Sequence, residues 1–285
     1  MKIFDCFMYF DEEIVLDVRL NTLNQFVDYF VIVESKYTHR GDLRNLRFNH
    51  KKFEKFKDKI IYLIYENEPK EIEIINNEDD NGEKSRKYIL NAAYRENGQR
   101  NFIKEGLINA DDNDMILVSD LDEIPNLLNV DFSQINEKII MFKQDMFYYK
   151  FNLLNITEPY WFGSRACKKK HLKSPQKLRN KKFKKYPYWR FDKFITYVNW
   201  NIIEDGGWHF SFLMDSADIR KKLLSFAHSE FSGEKFSSLK AIENKINQKK
   251  DLFERNYEYK KVEINELFPE YILQNKRKFE DFIVR

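Results

Sequence analysis

Residues 115–125 read MILVSDLDEIP. Four apolar residues run into Ser119, and three acids follow within four positions, Asp120, Asp122 and Glu123, before Pro125. A short unbroken apolar run bounded by turn-forming residues is the pattern of a strand buried on both faces, as in a parallel sheet. In open α/β sheets ligands bind beyond the carboxyl ends of the strands, which is where these carboxylates stand. Two carboxylates at i and i+2 can turn toward one hard cation. An all-oxygen ligand set completed by phosphate and water suits Mn2+ or Mg2+.

Taken alone, the stretch has two other readings. Asp120 or Asp122 can cap a turn of helix, with Glu123 in its first turn and Pro125 near its start. An Asp after a strand can also be a phosphatase nucleophile of the haloacid dehalogenase type. That chemistry wants Thr two residues after the second Asp, where Ile124 stands.

Outward from this stretch, residues 2–10 read as a strand. EEIVLDVRLNTL then places Ile14, Val15, Val18 and Leu23 at helical spacing, with Asp11 as N-cap. DYFVIVES (28–35) and KIIYLIY (59–65) are further buried strands, the second followed by an acid-rich, Asn-rich solvated loop. A long helix fits 85–109, beginning at Ser85 and turning Ile89, Ala92, Ala93, Ile103 and Leu107 inward. In the second half 138–154, 194–200 and 206–212 read as strands, and 215–228 as a helix capped by Asp215 or Ser216. The tail from 236 reads as charged helix interrupted at YEYKKVEI. Strands alternating with helices predict an α/β fold around a mainly parallel sheet, with a smaller antiparallel part in the second half.

Composition narrows the class. With 285 residues, 42% of them apolar and 16% aromatic, the chain can bury a full core, which excludes a disordered or low-complexity protein. The net charge of +3 is unevenly spread, since residues 165–190 hold twelve Lys or Arg and no acid. That asymmetry points to a local anionic partner and away from nucleic-acid binding. Cys6 and Cys167 are the only cysteines, so no disulfide framework is implied and a reducing, cytoplasmic setting is expected. MKIFDCFMYFDEE reads as a strand and not as a signal peptide. No window approaches the roughly 18 to 20 apolar residues of a membrane span. Membrane contact is expected to be peripheral, through the basic loop 168–185 and the neighbouring Phe183, Tyr186, Tyr188 and Trp189. The same loop also reads as a solvated lysine-rich surface. The bias toward Lys, Asn and Ile points to an AT-rich bacterial or viral genome.

Several stretches in fixed order resemble glycosyltransferase family 17, the β-1,4-mannosyl-glycoprotein 4-β-N-acetylglucosaminyltransferase family. They are DCFMYFDEEIVLDVRLNTLNQFVDYFVIVESKYTHRGDLRNLRF (5–48), ENGQRNFIKEGL (96–107), DMILVSDLDEIP (114–125), and GGWHFSF (206–212) followed by HSEF (228–231). The resemblance implies a GT-A fold in one domain over 1–285. Its parts would be a nucleotide-sugar-binding half (1–125), an acceptor half (126–232) and a helical extension (233–285). It further implies a nucleotide-sugar donor, above all UDP-N-acetylglucosamine, and a divalent cation, Mn2+ or Mg2+. Transfer to a glycan acceptor would invert the anomeric carbon; a bacterial or viral source, with the basic loop, adds lipid-linked glycans as acceptors.

Carried over residue by residue, Asp120 and Asp122 would hold the cation against the UDP diphosphate, with His209 as third ligand. On the residues alone, His209 equally reads as a packed core histidine. Glu123 would bind donor hydroxyls or orient a ligand, Glu34 and Ser35 would receive the nucleotide, and Arg100 would neutralise diphosphate charge. Trp208 would stack on a sugar or fill the core. Inversion needs a base opposite the leaving group. Glu230 falls where the family keeps an acid, and Asp205 and Asp145 are the other candidates. The alternative function is a non-catalytic glycan-binding or assembly protein that has kept the fold.

Overall fold

A computed structural model describes residues 1–181, 200–225 and 234–284. Strands β1 (Ile3–Tyr9), β2 (Tyr29–Ser35) and β3 (Ile60–Tyr65) run parallel, with helix α1 (Glu13–Leu23) between the first two. Helix α2 (Asn81–Asn101) tightens into a 3-10 segment (Phe102–Leu107) before β4 (Met115–Ser119), which lies parallel to β1. The chain continues through β5 (Glu123–Pro125), β6 (Ile139–Phe142), β7 (Gln144–Tyr148), β8 (Leu153–Asn155), β9 (Tyr160–Trp161) and β10 (Arg165–Lys168). Next come α3 (Pro175–Arg179), β11 (Trp200–Ile203), β12 (Gly207–Ser211) and α4 (Ser216–Ser225). The tail holds α5 (Glu234–Ser237), α6 (Leu239–Asn247), β13 (Tyr259–Lys261) and α7 (Glu270–Gln274).

Among the described residues one sheet has seven strands, in the order β11-β6-β10-β4-β1-β2-β3. All its pairings are parallel except those of β10, which runs antiparallel to both neighbours. The second sheet follows β13-β8-β7-β12-β5, with β9 added to β7, and is antiparallel except for the β7–β12 pair. This is the mixed α/β architecture expected, a mainly parallel Rossmann-like sheet flanked by helices with a smaller antiparallel part.

Strand alternation divides the apolar runs between two cores. Phe7, Phe30, Ile32, Met115 and Leu117 face α1, whose Val15, Leu16, Val18 and Leu23 cover them. Phe4, Cys6, Val31, Val33, Ile116 and Val118 face the other way, toward Ile103, Leu107 and Leu178. Both faces are covered, so these strands read as continuous apolar runs. The first core also takes in Phe147 and Phe210 of the second sheet and Ile264, Phe268, Ile272 and Phe279 of the tail.

Several local expectations are corrected. Glu123–Pro125 is a strand, so the helix-cap reading of the acidic stretch is overturned. Asp11 does not cap α1; Glu12 occupies that position, with no side-chain cap bond. α2 starts at Asn81 and not at Ser85, because the Asp80 side chain accepts from the Glu83 backbone N–H at 2.8 Å. Ile89 is exposed on that helix. Asp215 does accept from the Asp218 N–H, at 2.8 Å, at the start of α4. Part of the basic stretch is no loop, since it forms β10 and α3. The tail interruption at YEYKKVEI is β13, paired with β8. Both cysteines are free and buried, and burial pushes the Cys167 thiol up to about 12. No helix among the described residues is long and apolar enough to cross a membrane.

Candidate functional site

A cavity of about 340 Å3 opens at the carboxyl ends of β1, β2 and β4, where an α/β sheet places its ligands. Ser35, at the end of β2, and Tyr37 line it, as do Trp161 and His209 of the second sheet. Glu96, Gln99 and Arg100 of α2 and Lys222 of α4 complete the lining.

The acidic turn is held from beneath by a buried ion pair. Arg19, on the core face of α1, donates to both carboxylate oxygens of Asp5 on β1, at 2.8 and 2.6 Å, and neither residue is exposed. Its Nη1 also donates to the backbone oxygens of Asp120 (3.0 Å), Leu121 (3.1 Å) and Glu123 (2.8 Å). One guanidinium thus fixes the path of the chain through the acids, because a buried cation that reaches three carbonyls resists any shift that would leave one of them unpaired.

The β5–β12 pairing explains why SDLDEIP and GGWH travel together. His209 lies opposite Glu123, Trp208 opposite Ile124 and Gly207 opposite Pro125, and the Phe210 N–H donates to the Asp122 carbonyl at 2.9 Å. Gly207 has φ +115°, and a Cβ there would lie 2.2 Å from the Ile124 carbonyl oxygen. Only glycine lets the two strands meet in this register.

Each acid takes a different part. Asp120 gives one carboxylate oxygen to Arg100 at 2.9 Å and the other to Arg179 at 2.8 Å. Burial works against its charge, but the two guanidinium groups outweigh it and hold its pKa far below the usual carboxylate range. Asp122 faces His209, with Nε2 3.6 Å from Oδ1, and Lys222, with Nζ 3.9 Å from Oδ2. Burial raises its pKa, and His209 and Lys222 more than reverse that. The effect is mutual: burial disfavours the imidazolium of His209, and Asp122 lifts its pKa above the ordinary value. Glu123 is buried. It accepts from the Asp120 backbone N–H at 2.9 Å, from the Trp161 indole N–H at 2.5 Å and from Arg179 at 2.5 Å.

Among the described residues no three His, Cys, Asp or Glu side chains gather as a metal cluster. A hard cation bound with a diphosphate needs only one or two protein ligands, because phosphate and water complete its shell. Asp122 and His209 fit that demand, since the Nε2 of His209 faces the Asp122 carboxylate. Asp120 lines the cavity as well, with each of its oxygens bonded to an arginine.

Arg100 lines the cavity, with its Nε buried and unpartnered. Ser35 lines it too, its hydroxyl accepting from the Tyr37 N–H at 3.0 Å. Glu34 does not: it is fully buried and accepts from the backbone N–H groups of Arg47 and Phe48, the Tyr62 hydroxyl and Arg44. It anchors the chain after β2 and leaves no oxygen facing the cavity. Trp208 packs in the first core and donates its indole N–H to the Leu267 carbonyl at 3.0 Å, since alternation along β12 sends it away from the cavity that His209 faces. Asp145 and Asp205 are exposed outside the cavity, close enough to each other that Asp205 adds to the burial that raises the pKa of Asp145. Glu230 lies outside the described residues, as do Phe183, Tyr186, Tyr188 and Trp189.

Sequence reading missed Arg19, Trp161, Arg179 and Lys222. Arg179 is one cation in a run of cations, and Trp161 one aromatic in a chain rich in them. For Arg19 a signal was present: an arginine on the apolar stripe of α1 and an aspartate at a buried position of β1 are charges that can be afforded only as a pair.

No curated protein matches the chain. The model of glycosyltransferase family 17 matches residues 1–280. A match over nearly the whole length, on a mixed α/β fold whose two signature stretches meet across one cavity, shows that the chain belongs to glycosyltransferase family 17, whose members transfer a sugar from a nucleotide-sugar donor to a glycan acceptor.

Proposed function

We propose that the protein transfers N-acetylglucosamine from UDP-N-acetylglucosamine to a hydroxyl of a glycan, a lipid-linked glycan included, with inversion at the anomeric carbon. The observation that carries this reading is the convergence of Asp122 and His209 at the carboxyl ends of the parallel strands. Mn2+ or Mg2+ bound by these two residues would offset the charge of the departing diphosphate.

The chain's own groups support a diphosphate at this place. Arg100, Arg165 and Arg179 stand around Asp120 and Glu123, and burial together with the neighbouring Arg179 pushes Arg165 down to about 10. Glu96 also pairs with Arg100, so these guanidinium groups are matched by carboxylates, and the unpartnered Nε of Arg100 is the donor left for an anionic ligand. In this reading Asp120 and Glu123 keep Arg100 and Arg179 aligned, and Ser35 and Tyr37 receive the nucleoside. Glu230 takes the proton from the acceptor hydroxyl, as an inverting displacement requires.

A donor screen by thermal melting tests the reading. UDP-N-acetylglucosamine with Mn2+ should raise the melting temperature and GDP- and CMP-sugars should not, because a ligand bound only by the native state stabilises it. Equal shifts with all three, or none, would remove the UDP assignment.

A further inference from the structure

We propose that Trp161 is the stacking surface for the acceptor sugar and that Glu123 is the residue that orients it. The word acceptor rests on the nucleotide-sugar reading above; the contact with a sugar does not.

Trp161 lines the cavity, yet 41% of it remains exposed. A single exposed aromatic is ordinary on a protein surface. This one is held in place. Its indole N–H donates at 2.5 Å to Glu123, a carboxylate 1% exposed. Glu123 is fixed in turn by the Asp120 N–H and by Arg179. Strand β9 sets the backbone, with Trp161 opposite Gln144 of β7. The ring centroid lies 5.3 Å from that of His209, at 36° between planes. Two residues on, a Cβ on Gly163 would stand 2.2 Å from the Glu123 carboxyl, so the chain leaves room for the anchor where it is needed.

A ring pinned at its edge, with area left open, has little side-chain freedom to lose when a ligand covers it. An indole face carries negative quadrupole density, which suits the outward C–H groups on one face of a pyranose and repels a phosphate. The chemical class is therefore an uncharged sugar ring. The placement points to the acceptor and not the donor, since Ser35 ends β2 of the parallel sheet and Arg100 lies on α2, while Trp161 belongs to β9 of the second sheet. This also gives Glu123 its part in the acidic stretch: it serves the aromatic wall and not the cation.

Saturation-transfer difference NMR on the full chain tests the proposal without needing turnover. The probes are methyl α-D-mannopyranoside, methyl β-D-galactopyranoside and methyl N-acetyl-β-D-glucosaminide, each with UDP and Mn2+ present. The wild type should saturate the C–H protons of one ring face of at least one glycoside. Trp161→Ala should cut that signal about tenfold, the order of one lost aromatic stacking contact, and Trp161→Phe should restore part of it. Melting of each variant shows that it is folded. An unchanged signal in folded Trp161→Ala, or no signal from any glycoside in the wild type, would overturn the proposal. Competition by UDP-N-acetylglucosamine but not by UDP would place the platform at the donor sugar and overturn the acceptor assignment. A wild type that shows the glycoside signal but no melting shift with UDP and Mn2+ would sink the nucleotide reading and leave the sugar contact standing.

Discussion

Arg19 shows how much of the site is decided by a residue that never reaches it. Its five hydrogen bonds tie Asp5 on β1 to three carbonyls of the acidic turn. Arg19→Met leaves the Asp5 carboxylate buried without its partner, which costs about 3–5 kcal/mol. Urea unfolding should show that loss, and Arg19→Met/Asp5→Leu should recover part of it, because the uncompensated charge is gone. Equal stability of single and double variants would mean that the carbonyl bonds, and not the charge, dominate. At this scale the sequence was legible for Asp122 and His209, whose side chains face the cavity from turn and strand. It was not legible for Glu34 and Trp208. Each sits beside a cavity residue in sequence and points the other way, and no single sequence states on which side of a strand a ligand lies.

Strand pairing is where separate motifs become one site. The β5–β12 register depends on Gly207, whose backbone lies where a side chain would strike the Ile124 carbonyl. Gly207→Ala should cost roughly 1–3 kcal/mol from backbone strain alone, read as a lower melting temperature. The melting shift with UDP and Mn2+ should shrink as well, since His209 would no longer stand beside Asp122. The parallel strands were readable because burial on both faces leaves an unbroken apolar run, as in MILVS and YFVIVES. β10 was hidden because RACK carries no such run. It is held by β4 and β6 on either side, and its arginine turns inward to the Gly163 and Lys181 carbonyls. A cation-rich segment reads as solvent-facing until the carboxylates it meets, here Asp120 and Glu123 through Arg179, are placed across from it.

The whole molecule joins its two sheets through one core, and its edges are tied by carboxylates that must stay ionised. Asp114, buried ahead of β4, accepts from the backbone N–H groups of Lys2 at 2.7 Å and Asp111 at 2.8 Å. Burial opposes its charge, and those two bonds outweigh it and lower its pKa. A lowered folded-state pKa contributes stability that is present above the ordinary value of about 3.9 and is lost as pH falls below it and through the lowered one. Asp114→Asn should therefore lower the melting temperature near neutrality and flatten its decline below about pH 4, measured as melting temperature against pH. A parallel decline in both proteins would exclude that carboxylate as a source of acid sensitivity. The measurement that reaches furthest is Mn2+-dependent hydrolysis of UDP-N-acetylglucosamine by the wild type and by Asp122→Asn. The wild type should release UDP only with Mn2+ or Mg2+ present, and Asp122→Asn should remain folded and lose about 10²–10³ in rate, the order for removing one group that stabilises developing charge. No cation-dependent release from the wild type, or full activity in folded Asp122→Asn, would contradict the assignment of this cavity as the sugar-transfer site.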